Sequence, residues 1–490
     1  LNKTELAYRQ QSLFSVSTKA SPYARLRMAN TLRIRDKCLR YSNGMDQMTD
    51  PTMCVSRRDF ARFSLAASAA MLVGGKTARA AAPTGEPIRI GVLHSLSGTM
   101  AISETTLKDV ILMLVDLQNK KGGVGGRPLE AVVVDPASNW PLYTEKARQL
   151  LAVDKVAAVF GCWTSVSRKA VLPVFEELNG ILFYPVQYEG QECSRNVFYM
   201  GAAPNQQAIP AVDYLLGEDG GSARRFALIG TDYVYPRTTN QILQAYLKQK
   251  GIADADVMVS YMPFGQSDWQ TTVSQIKAFG SAGKKTAVIS TINGDANVPF
   301  YKELGAQGIA ATDIPVMAFS VGEEELAGMD TKPLVGQLAA WNYFESIDTP
   351  ANKAFINAWH TFTKSPKRVT NDPMEAHYIG FNLWVQAVEK TGTTDHDKVI
   401  AAMVGLKQPN LTGGIAEVLP NHHITKPVYI GEIQDDGQFN VVWQTPQEIP
   451  AQAWSPYVPE TRNLTGDWRA PISCGNYDTA KKACLGTRHA

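Results

Sequence analysis

From Ile88 to about residue 330, short apolar runs alternate with longer stretches whose apolar positions recur every three to four residues. The runs "IRIGVLHS" (88–95), "PLEAVVVDP" (128–136), "AAVFGC" (157–162) and "ILFYPV" (181–186) are β-branched, aliphatic or aromatic through their centres. Such runs are strands buried on both faces. Between them, "ETTLKDVILMLVDLQNKK", "YTEKARQLLAVDKV" and "SRKAVLPVFEELNG" have helical spacing. The pattern then restarts. Predicted strands "RRFALIGTDYVYP" (224–236), "ADVMVSYMPF" (255–264), "KTAVISTING" (285–294) and "IPVMAFSV" (314–321) alternate with four further amphipathic segments.

Two βα series predict an α/β protein made of two doubly wound parallel-sheet lobes with a cleft between them. Two more helical segments, "TPANKAFINAWHTFTK" (349–364) and "EAHYIGFNLWVQAVEKTG" (375–392), follow the second series and are expected to rejoin the first lobe. The chain then crosses between lobes more than once. The expected boundaries are 83–205 with 338–425 for lobe 1, 206–337 with 426–450 for lobe 2, and 451–490 for an irregular C-terminal extension. The glycine-rich "GGVGGRP" (122–128) follows a helix, so it reads as a helix stop and turn and not as a phosphate cradle.

Residues 1–82 form an N-terminal extension of another kind. Within 56–82, Arg57-Arg58 precede a modest apolar run from Leu65 to Val73, and Ala78-Arg79-Ala80 fits a small-x-small cleavage site. That order reads as a twin-arginine-type export signal and implies a periplasmic location. No later stretch approaches the roughly 18 apolar residues of a membrane span, so a protein that is not membrane-embedded is expected. The 490 residues carry a net charge of +2, with 44% hydrophobic and 19% charged, which gives no basic face for nucleic acid. Cys474 and Cys484 close a short loop that suits a disulfide in an oxidising compartment. Cys162 either pairs with Cys193 or stays a buried thiol.

Ligands of open α/β sheets bind beyond the carboxyl ends of the strands. There the chain holds Trp163, Thr164, Ser165, Tyr184, Gln187, Tyr233, Tyr235, Asn293, Gly294 and Asp295. Rings that exclude water, with a few hydroxyls and amides to orient, suit a small polar uncharged ligand. Asp295 could accept from an N–H donor. Ser165, at a helix start, could meet a carbonyl oxygen; the alternative for it and Thr164 is an ordinary helix cap, which would not exclude ligand contact. Tyr233 and Tyr235, spaced two apart at a predicted strand exit, form either a pocket wall or a structural plug.

No serine-hydrolase elbow, zinc-protease motif or phosphate-binding loop occurs, so no catalytic residue, metal or cofactor is expected. His422-His423 reads as an exposed turn. Glu323-Glu324-Glu325 reads as a helix first turn, from which Glu323 could reach the cleft.

The segments "IRIGVLHSLSGTMA", "GCWTSVSRKAVLPVFEELNGILFYPVQYEG" and "GAAPNQQAIP" resemble the type I periplasmic binding proteins of the branched-chain amino acid class. Within it, "GTDYVYPR", "STINGDANVPFYKELGAQGI", "FSVGEEEL" and "NDPMEAHYIG" are similar to the urea-binding component of urea ABC transporters and its sister, the cytoplasmic short-chain amide sensor. The resemblance implies a non-enzymatic binding protein that captures urea or a short-chain amide and delivers it to ABC transporter permease subunits. The alternative is a sensor that signals to a partner without transport. It also implies ligand contacts from Trp163, Ser165, Tyr184, Tyr233 and Tyr235; Trp163 stands where the amide sensor has a smaller tyrosine.

Overall fold

The computed structural model describes residues 83–459, together with 477–478 and 483–484. The expected export signal lies outside the described residues, as do the side chains of Cys474 and Cys484.

The first sheet has five parallel strands in the order β2-β1-β3-β4-β5: β1 (Ile88–Leu93), β2 (Leu129–Val134), β3 (Val159–Gly161), β4 (Leu182–Tyr184) and β5 (Val197–Tyr199). The helices Ala101–Lys120, Trp140–Arg148 and Ser165–Glu177 connect its strands. The last strand was not evident from the sequence. It is three residues long and follows an irregular stretch, so no period marks it.

The second sheet has seven strands: β6 (Arg225–Thr231), β7 (Val257–Met262), β8 (Thr286–Thr291), β9 (Val316–Ala318), β10 (Leu338–Trp341), β13 (Tyr429–Ile433) and β14 (Phe439–Gln444), in the order β14-β13-β10-β9-β8-β6-β7. The short β11 (Lys407–Pro409) and β12 (Ile415–Glu417) pair with each other outside both sheets. β6 shows why both faces are covered. Phe226 and Leu228 pack into one core, and Ala227 and Ile229 into the other, as a period of two requires.

Strand β10 corrects one expected boundary. Leu338 and Ala339 pair in parallel with β9, and the whole strand pairs antiparallel with β13, so residues 338–341 belong to the second sheet. The chain returns towards the first lobe only after Trp341. Phe355 and Trp359 of the helix Pro350–Thr363, with Met374 and Trp384 of the helix Asp372–Thr391, then pack into the first lobe's core.

The predicted strand 224–236 is also shorter than expected. It ends at Thr231, and the helix Val234–Gln249 starts at once, with Tyr233 as its extended flanking residue. Pro236 sits in the first helical turn, where its missing N–H has no intrahelical acceptor to lose. The proline that read as a strand stop is therefore part of a helix start.

The chain passes between the sheets near residues 203–207, 341–343 and 424–428. These passages are tied together. Asn342 Nδ2 donates to the Gln206 carbonyl (2.9 Å) and the Pro427 carbonyl (2.6 Å), and Gln206 Nε2 donates to the Ile424 carbonyl (2.9 Å). Lys426 is buried there near Asp372 and Glu375, at 3.9 and 3.7 Å.

His422 and His423 are buried, contrary to the exposed turn expected. A parallel bridge from Tyr199 to His423 draws the pair onto the first sheet's edge, where they stack on Phe198 and Tyr199. Burial pushes both imidazoles down to about 4. Cys162 and Cys193 are both free thiols.

Candidate functional site

A sharp turn sets the first wall. Gly161 lies so close to β1 that a Cβ there would fall 2.3 Å from the Leu93 carbonyl, and Cys162 adopts a left-handed φ of 66°. The turn delivers Trp163 to the strand end and starts the next helix. Thr164 is its N-cap, accepting from the Ser167 amide at 3.1 Å. The cap reading therefore applies to Thr164. Ser165, one residue on, is left to turn its hydroxyl elsewhere.

Trp163, Thr164, Ser165, Tyr184, Gln187, Tyr233, Tyr235 and Asn293 are all buried. Several meet across the lobes. Trp163 Nε1 donates to Asn293 Oδ1 at 3.1 Å, and Gln187 Nε2 donates to Ser320 Oγ at 2.6 Å. Tyr233 and Tyr235 lie with ring centroids 6.2 Å apart and pack on Val166 and Phe264. Gly294, at φ 68°, brings its backbone against Thr99 and Met100 of the first lobe. Asp295 is set apart from this group. Its side chain is exposed, while its backbone N–H reaches the Thr99 carbonyl at 3.3 Å. Glu323 is likewise directed away, accepting from the Glu345 amide at 2.7 Å.

Sequence reasoning passed over the charges behind the wall. Arg168, Lys169, Glu189 and Glu192 are buried together, with Arg168 bonded to Glu192 at 2.8 Å and to Glu189 at 3.3 Å, and Lys169 to Glu192 at 2.6 Å. The Arg168 guanidinium stands 4.6 Å from the ring centroids of both Tyr184 and Tyr188. Two cations and two carboxylates leave the cluster without net charge. Burial would raise the Glu192 carboxyl, but the Arg168 and Lys169 charges hold it down at about 2. The sequence offers only Arg168-Lys169 in one segment and two glutamates of "YEGQE" in another, with no motif to bring them together.

The protons in this cluster are assigned by its bonds. Tyr184 Oη donates to the Trp163 carbonyl, and Ser165 Oγ donates to Glu189 Oε2 while accepting from Arg168 Nη1 at 3.2 Å. Both hydroxyls have therefore spent their protons and offer lone pairs. Gln187 Oε1 is a buried acceptor without a hydrogen-bond partner, and Tyr235 Oη a buried hydroxyl without one, although it lies beside Gln187 and Ser320. Burial raises the Tyr184, Tyr233 and Tyr235 phenols well above their ordinary range, so they stay protonated. Among the described residues no group of three or more histidine, cysteine or acidic side chains is placed to hold a metal ion, and no helix is long and apolar enough to cross a membrane.

Residues 88–460 match the family model of the periplasmic binding protein domain. A stretch of 124 residues is 30% identical to limonene hydroxylase from Geobacillus stearothermophilus, covering 25% of this chain and 22% of that protein. The Leu/Ile/Val-binding protein homolog 7 of Brucella suis biovar 1 is 26% identical over 228 residues, 44% of this chain and 55% of its own. Measured on these two curated relatives, the chain spans about a fifth and about half of their length. The solute-binding protein of an ABC transporter from R. palustris, solved with 4-hydroxybenzoate, has the same fold at a TM-score of 0.65 and 22% identity, covering 74% of this chain and 98% of that one.

Proposed function

The chain belongs to the periplasmic binding protein domain family, and we propose that it captures urea or a short-chain amide between its lobes. It then delivers the ligand to the permease subunits of an ABC transporter, from the periplasm, without transforming it. The observation that carries the choice of ligand is the hydrogen-bonding ledger of the buried wall. Ser165 Oγ, Tyr184 Oη and Gln187 Oε1 offer acceptors, and Tyr235 Oη offers a donor. A ligand rich in N–H groups with one carbonyl oxygen satisfies that set; leaving such buried groups unmatched costs about 1–3 kcal/mol each.

A carboxylate ligand fits poorly. The R. palustris protein was solved with an aromatic acid, and the Brucella homolog is named for amino acids. Either kind of ligand brings a carboxylate, and the cation nearest this wall, Arg168, is already matched by Glu189 and Glu192. An amino acid would also need a second counter-charge for its ammonium.

Calorimetric titration of the purified chain with urea, acetamide, leucine and 4-hydroxybenzoate tests the reading. Heat with urea or acetamide, and none with the two acids, is the expected result. Binding of leucine or 4-hydroxybenzoate with no heat from urea or acetamide overturns it.

A further inference from the structure

We propose that Glu189 is a specificity-setting positioning residue: by taking the Ser165 proton it makes Ser165 Oγ an obligate acceptor towards the cleft, so that the site selects amide N–H groups and rejects carboxylates. The inference deepens the reading of the cleft as an amide site and rests on it.

The geometry leaves the serine little choice. A hydroxyl has one proton and two lone pairs. The proton of Ser165 goes to Glu189 Oε2, and one lone pair accepts from Arg168 Nη1 at 3.2 Å. One lone pair remains, for a ligand or for the neighbouring Tyr184 hydroxyl. Glu189 cannot reverse this bond while it is ionised, since a carboxylate only accepts. Its other oxygen accepts from Arg168 Nη2 at 3.3 Å, and the two cations and two carboxylates of the cluster balance. Glu189 is fully buried, one residue after Tyr188 and two after Gln187, so it backs the same wall that presents Gln187 Oε1.

This arrangement replaces the role expected for Ser165 from its sequence position. A serine at a helix start was expected to meet a carbonyl oxygen as donor. With its proton directed inward, it meets an N–H instead, and the carbonyl oxygen is left to Tyr235 Oη. Glu189 also takes the place intended for Asp295: the buried carboxylate that governs N–H recognition acts through a hydroxyl, while Asp295 is exposed.

Arg168 makes the substitution Glu189→Gln informative. Its Nη2 requires an acceptor, so the new amide turns its oxygen to Arg168 and its NH2 to Ser165 Oγ. Ser165 would then accept from both neighbours, and its own proton would point into the cleft. The variant thus changes Ser165 from acceptor to donor and leaves the cluster one positive charge in excess.

Acetamide and acetate are nearly isosteric, so the ratio of their affinities reads this change directly, and a merely structural loss would lower both together. Calorimetry on the purified chain is expected to show acetamide strongly preferred, and Glu189→Gln is expected to shift the ratio towards acetate by at least about tenfold, the equivalent of one exchanged hydrogen bond. Ser165→Ala keeps the Glu189–Arg168 pair and the Thr164 cap. It should lower acetamide affinity about tenfold with an unchanged circular dichroism spectrum.

An acetamide-to-acetate ratio within about threefold of the unsubstituted chain, in a Glu189→Gln protein that still binds, overturns the role of Glu189 and leaves the amide reading intact. If Glu189→Gln does not fold, Ser165→Ala decides: unchanged acetamide affinity overturns the proposal. No binding of urea or acetamide by the unsubstituted chain overturns both.

Discussion

The indole of Trp163 and the side-chain oxygen of Asn293, 130 residues apart in sequence, share a hydrogen bond of 3.1 Å across the cleft. Trp163 ends the turn after β3 in the first lobe, and Asn293 follows β8 in the second. The bond spends the only donor of the ring. Trp163 therefore keeps only its apolar face to offer a ligand, and serves lobe contact through its N–H. Replacing Trp163 with Phe keeps a ring and removes the donor. The expected outcome is a loss of about 1 kcal/mol in urea affinity, roughly fivefold, with little change in the thermal midpoint, read by calorimetry on the same samples.

Tyr235 and Asp295 should part company. The Tyr235 hydroxyl is buried and has no hydrogen-bond partner, so Tyr235→Phe relieves an unsatisfied group in the protein alone while removing the donor available to a ligand carbonyl. Thermal stability without ligand should hold or rise by up to about 1 kcal/mol, and urea affinity should fall about tenfold or more. Asp295→Asn should change affinity less than about twofold, because the carboxylate is exposed. A stability loss in the tyrosine variant, or a large effect of the asparagine, would contradict this placement.

Gly294 brings the backbone of the second lobe close to that of the first. A Cβ there would lie 2.7 Å from the Thr99 carbonyl and 2.9 Å from Met100 Sδ, at a φ of 68° that already disfavours side chains. The left-handed backbone costs alanine about 1 kcal/mol of stability, and the clash adds a penalty only when the lobes meet. Gly294→Ala should therefore reduce ligand affinity by more than its loss of stability accounts for. Small-angle scattering with saturating urea should show a larger radius of gyration than the unsubstituted chain gives.

Glu324 provides a pH dependence with a definite sign. It lies in the short helix Glu323–Leu326, where burial pushes its carboxyl up to about 7, partly offset by the Arg368 charge and by Thr106, with Glu325 and Asp109 nearby as like charges. Its neighbour Glu325 accepts from Ser103 Oγ of the first lobe at 2.6 Å, so this helix is a lobe contact. A carboxyl raised above its ordinary 4.5 favours the closed arrangement fully below that value and loses the contribution as pH rises through 7. Urea affinity should weaken between pH 5 and 8, and Glu324→Gln should flatten the profile. An identical slope in the variant would remove Glu324 as the cause. Stability controls should use guanidinium chloride, since urea is the proposed ligand.

Much of the fold was legible because it rests on burial. Strands covered on both faces must be apolar throughout, and helices that cover them must have one apolar side, so β1, β3, β4, β6, β8 and β9 announce themselves, while the edge strands β2 and β7 are only partly covered yet remain apolar enough to read. Strand β10 did not, because "LAAW" follows a turn-rich stretch and carries no period. The tyrosine pair was found and its element mistaken: a proline reads alike as a strand stop and as a first-turn helical residue. At the site, rings and hydroxyls stood out as unusual beyond strand ends. Glu189 did not, since a glutamate in a loop is ordinarily solvated; only the arrival of Arg168 from a separate helix makes it a buried partner. Ligand-facing atoms were recognisable one residue at a time, whereas the direction of a hydroxyl's proton depends on a neighbour that sequence alone does not supply.

The tie between Asn342, Gln206 and Pro427 has a mechanical consequence. Three strands of backbone pinned to one another at a single line form a pivot, and a pivot of this kind resists sliding and splaying while permitting rotation. Displacement then grows with distance from the axis, so a few degrees at the pinned passages become several ångströms wherever the lever arm is long. Any residue that stiffens or loosens those two carbonyl contacts would alter how often the jaws part, and with it the rate of ligand release, without touching the ligand at all.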